Sequence, residues 1–118
     1  MTEISTRERA KEFAKAIIFL VKDVQSQERE YVLTGQLLRA GTSIGANLSE
    51  AQYAQSGADF VSKLEIALKE CYESEYWLEL MFETGYIAEA KYKKLVADCG
   101  TIRRMLISAC KTSKAEIE

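Results

Sequence analysis

Apolar residues recur every three or four positions in four separate blocks of this chain, and no proline interrupts any of them. The last block is the most regular: Tyr92, Leu95, Cys99, Ile102, Leu106 and Ala109 follow one another at spacings of 3, 4, 3, 4 and 3. That period matches the 3.6-residue turn of an α-helix and puts all six on one face. The first block opens on Ser5-Thr6-Arg7-Glu8, a capping-box pattern in which the serine hydroxyl and the glutamate carboxylate satisfy orphan backbone amides. Phe13, Ile17, Leu20, Val21 and Val24 then share one face. The second block carries Leu33, Leu37, Ala40, Ile44, Leu48 and Ala51. The third starts at the Ser56-Gly57-Ala58-Asp59 cap, continues through Phe60, Leu64, Ala67, Leu68, Cys71, Leu78 and Phe82, and stops at Gly85. Helices are therefore expected at about 5–24, 31–54, 57–84 and 88–112, the second regular enough to outlast its internal glycines, with Gly41 the place for any local kink or break, and with a frayed polar end at 113–118. Helices of this length joined by short connections pack most simply as an all-α, up-and-down (antiparallel) four-helix bundle, one domain over residues 1–118.

Composition narrows the function. The chain of 118 residues has no histidine, which removes histidine as a general base, a proton shuttle or a metal ligand. Cys71, Cys99 and Cys110 lack CxxC spacing and fall inside helical blocks, the pattern of reduced, buried thiols in a cytoplasmic protein. The longest apolar run, Ala16–Val21, is far short of the ~20 residues of a membrane span. No catalytic, cofactor or metal constellation emerges, so the chain reads as a non-enzyme without cofactor.

Charge is distributed unevenly. Residues 1–55 are balanced, residues 56–85 carry a net −5, and residues 86–118 carry a net +3. An acidic third helix thus precedes a mildly basic fourth one. Lys93, Arg103, Arg104, Lys111 and Lys114 lie roughly opposite the apolar stripe of the fourth helix and are candidate nucleic-acid contacts. The overall net charge of −2 provides no broad basic footprint.

Three further features exceed what a lone bundle needs. Gln36, Arg39, Ser43, Asn47 and Glu50 form a polar ladder beside the apolar stripe of the second helix, suited to a buried or interfacial hydrogen-bond network or, alternatively, to gripping a ligand or RNA. Gly41 and Gly45 would let a neighbouring helix approach closely. Phe19, Ile66, Trp77 and Leu80 point away from the inward stripes and are candidate contacts between subunits. Glu75 falls on the inward stripe and needs a partner, for which Arg39 is a candidate.

The run from Gln36 through Arg39, Ser43-Ile44 and Asn47-Leu48 to Glu50, with Phe60-x-x-x-Leu64-x-Ile66-Ala67 and the Leu80 to Gly85-Tyr86-Ile87 junction, resembles the bacterial 23S rRNA intervening-sequence proteins. The resemblance spans roughly residues 8–110. It implies a small up-and-down bundle that assembles with itself as a homopentamer. The family is in turn similar to the accessory variability proteins of diversity-generating retroelements, which bind nucleic acid and a reverse transcriptase. Two functional expectations follow: a non-enzymatic homo-oligomeric scaffold or adaptor, or a nucleic-acid-binding accessory protein with an RNA or reverse-transcriptase partner.

Overall fold

The computed structural model describes residues 4–117, and these form four helices: α1 (Thr6–Glu28), α2 (Val32–Ala51), α3 (Gly57–Glu83) and α4 (Glu89–Ile117). Residues 1–3 and 118, the ends of the expected domain range, lie outside the described part. Each helix packs on its two neighbours in the cyclic order α1, α2, α3, α4, giving an antiparallel four-helix bundle of 49 × 31 × 21 Å.

The caps explain where the helices begin. Ser5 Oγ accepts from the Glu8 amide and Ser56 Oγ from the Asp59 amide, each at 3.1 Å. At the head of α2 Glu30 takes this role: its carboxylate accepts from the amides of Val32, Leu33 and Thr34 at 2.9–3.0 Å. Burial pushes that carboxyl's pKa upward, but the three amides outweigh it and hold the group below its ordinary value.

Several boundaries differ from expectation. α1 continues one turn beyond Val24, because Gln25 stays helical and its Nε2 donates to Thr34 Oγ1 of α2 at 3.1 Å. It ends at Arg29, which adopts a left-handed backbone with φ 53°. α2 runs unbroken through Gly41 but stops at Ala51, where i→i+3 bonds from Gln52, Tyr53 and Ala54 unwind it. The tail is not frayed: α4 stays helical to Ile117, whose side chain packs over Gly57 while Lys114 pairs with Glu65.

The core contains Ile17, Leu37, Ile44, Leu78, Leu95, Ile102 and Leu106, each at most 2% exposed. Burying a side chain of this size contributes about 2 kcal/mol. Gly41 and Gly45 do allow close approach, and the helix they admit is α1 of the same chain, through Ile17 and Ala10. Phe60 departs from its stripe and is 37% exposed. The Glu50–Lys63 ion pair sets the end of α2 level with position 63, so Phe60 sits about one turn past the last helical cover. Val61, Ser74 and Met81 fill α3's inward face instead, and among the described residues the buried Ser74 Oγ has no hydrogen-bond partner.

Candidate functional site

The polar ladder lies on the side of α2 that borders α3. Within the helix, Ser43 Oγ donates to the Arg39 carbonyl at 2.6 Å and Asn47 Nδ2 to the Ser43 carbonyl at 2.8 Å. Gln36 Oε1 accepts from Arg39 Nε at 3.3 Å, and Glu50 reaches across to Lys63 at 3.3 Å. The ladder therefore splits into local backbone bonds and two crossings to α3.

Arg39 is the centre of the upper crossing. Its guanidinium pairs with Glu70 at 3.2 Å and with Glu73, and Glu73 also accepts from Trp77 Nε1 at 3.1 Å. Trp77 in turn meets Tyr76 edge-on with ring centroids 5.1 Å apart. Arg39 of the ladder and Trp77, two separate expectations from the sequence, are thus joined through Glu73. Arg39 does not serve Glu75, however. Glu75 points to the other side of α3 and accepts from Arg103 Nε of α4 at 2.8 Å. That bond, ahead of the opposing effect of burial, raises the Arg103 pKa, so the guanidinium remains charged.

The candidate contact residues occupy different depths. Phe19 is 63% exposed and Ile66 39%, whereas Trp77 and Leu80 are half-buried at the edge of the bundle. Tyr72 and Tyr76, at 53% and 56%, are more open than either and were not picked out from the sequence. The signal was present: positions 72, 76 and 80 repeat at four residues and form one row along α3.

The basic residues of α4 are mostly engaged. Lys93 pairs with Glu89, Lys114 with Glu65, and Arg103 with Glu75 while also lying 5.5 Å from the Tyr72 ring centroid. Arg104 and Lys111 are exposed. Acidic charge gathers instead near the far end of α3. Burial, then Glu79, Glu83 and Glu75, raise the pKa of Tyr92, which stacks on Phe82 at 4.4 Å.

The thiols are packing groups. All three are buried and unbridged, and Cys99 Sγ lies 3.5 Å from the Cys71 carbonyl. The neighbouring Cys71 side chain, then burial, push the Cys99 thiol far up. Among the described residues no three His, Cys, Asp or Glu side chains are grouped to hold a metal ion, and no helix is long and apolar enough to cross a membrane.

A bundle with this polar α2–α3 seam also matches a family model described as 23S rRNA-intervening sequence protein, over residues 2–108. The chain belongs to that family. A crystal structure from Bacteroides thetaiotaomicron VPI-5482, described as a protein with unknown function from the S23 ribosomal protein family, is 47% identical to it. The match covers 91% of this chain and 99% of that one, with a TM-score of 0.89. Among curated proteins there is no significant match. That neighbour carries the same four-helix bundle at nearly the same length.

Proposed function

We propose that this member of the intervening-sequence family is a non-enzymatic scaffold or adaptor whose working unit is a homo-oligomer, with five copies as the expected number. One observation carries the reading: open apolar and aromatic side chains stand on two separate sides of the bundle, Phe19 on α1 and Ile66, Tyr72 and Tyr76 on α3. Single exposed apolar residues are ordinary, but rows of aromatics beside an ordered arginine have the composition of protein–protein contact centres. Arg39 has that setting, held by Glu70 and Glu73 next to Trp77 and Tyr76.

A non-catalytic role agrees with the chemistry of the side chains. The chain has no histidine, its thiols are buried, and its half-buried carboxylate Glu75 is already neutralised by Arg103. The test is sedimentation velocity on the wild type and on Phe19→Ser and Tyr76→Ser. The reading expects an oligomeric wild type and a lower mass for at least one variant whose helical content is intact. A wild type sedimenting as a single 13.3 kDa chain at tens of micromolar would overturn it.

A further inference from the structure

One side of the bundle has a groove that none of the described residues fills. It runs between α1 and α2, has a volume of about 340 Å3, and its floor is small: Ala14, Gly45 and Ala46, with Thr42 and Ser49 beside them. Arg7 and Lys11 stand on its α1 rim. Both are exposed, and among the described residues neither has an acidic partner within 4 Å. Ile18, 38% exposed, and Lys22 continue the same rim, since positions 7, 11, 18 and 22 fall within about 60° of arc on a helix.

On the opposite side of the ring of helices, α3 presents the reverse. Tyr72, Tyr76, Glu79 and Glu83 are exposed and likewise fall within about 60° of arc, at spacings of 4, 3 and 4. Glu79 and Glu83 form no ion pair among the described residues. α3 is also the source of the chain's charge asymmetry, −5 over residues 56–85. A floor of small residues admits large side chains from a partner helix, and a cationic rim selects an acidic one. Both requirements are met by this chain's own third helix.

We infer that the α1–α2 groove of one copy receives the outward face of α3 from the next copy, with Tyr72 and Tyr76 over the small-residue floor and Glu79 and Glu83 against the Arg7, Lys11 and Lys22 rim. The inference rests on the homo-oligomer proposed above and names its interface. Two different surfaces meet, so the contact is head-to-tail; such contacts form a ring where the rotation between copies closes and an open filament where it does not. Rim charges set the encounter and register, while the tyrosines provide most of the buried area. The asymmetry between an acidic α3 and an open cationic α1 rim then serves assembly.

Charge exchange tests this directly. Three variants are compared with wild type by light scattering behind a sizing column: R7E/K11E, E79K/E83K, and all four changes together. All sites are exposed, so the fold is checked only by circular dichroism. The expected result is an oligomeric wild type, association weakened by about tenfold or more in each double reversal, and recovery in the fourfold exchange. Raising salt should weaken the wild-type assembly and leave its fold intact. Wild-type assembly that survives both reversals would overturn this interface and leave the homo-oligomer standing, as would reversals that disrupt it without rescue by the exchange. A monomeric wild type would remove both.

Discussion

Gly41 of α2 sits directly against Ile17 of α1: a Cβ added at Gly41 would lie 3.0 Å from both Cγ1 and Cγ2 of Ile17. Ile17 is fully buried and branched at Cβ, so it cannot yield. Replacing Gly41 by alanine gains about 1 kcal/mol of helix propensity but forces overpacking that costs about 1–3 kcal/mol. Gly41→Ala is therefore expected to lose about 1 kcal/mol and several degrees of melting temperature. Gly35, whose added Cβ would meet nothing within 4 Å, is the control. Gly35→Ala should gain about 1 kcal/mol in the same thermal or urea melts.

The Glu30 carboxylate replaces a conventional cap at the head of α2, where Tyr31 forms no side-chain cap bond. Glu30→Ala should cost about 1 kcal/mol at neutral pH. Its folded pKa is lowered from the ordinary 4.5, so the contribution is present above that value and is lost as pH falls through the lower, folded one. Stability measured from pH 6 down to pH 3 should fall less steeply in Glu30→Gln than in the wild type.

Removing Arg39 leaves two carboxylates facing one another. Glu70 is the more sheltered of the pair, with its side chain 14% exposed against 35% for Glu73. Arg39→Ala should cost about 1 kcal/mol, in the range for a partly screened pair. Because Trp77 is the chain's single tryptophan and donates to Glu73, the same change should shift its fluorescence emission. Unchanged emission would mean that the network does not operate in solution.

The three thiols should be silent in the folded protein. Maleimide labelling at pH 7 should be slow in native protein and reach three per chain in denaturant. Raising the pH to 9 should not speed labelling at Cys99, because Cys71 and burial hold its pKa far above that range. Rapid native labelling of Cys99 would show that the α3–α4 seam opens.

What the sequence made legible was periodicity. The Tyr92 to Ala109 row and the Ser5 and Ser56 caps depend on contacts within about one turn, and the structure places them as local rules require. What stayed hidden depends on how far one helix slides past another. A helical wheel put Glu75 on the inward side of α3 but contained nothing to choose Arg103 over Arg39, since that choice needs the relative height of α3 and α4. Phe60 fits its stripe by angle and is open only because α2 ends first. The polar ladder was visible as a row, and its division into backbone bonds and crossings to Glu70, Glu73 and Lys63 was not. Tyr72 and Tyr76 belong to the same four-residue repeat as Leu80, a periodicity that by itself does not separate an open row from a packed one.

Native mass spectrometry of the wild type across a hundredfold dilution is the most direct measurement. Self-assembly predicts one dominant species at an integer multiple of 13.3 kDa, with five as the expected multiple, giving way to single chains as concentration falls. A 13.3 kDa species alone at every concentration would contradict the account.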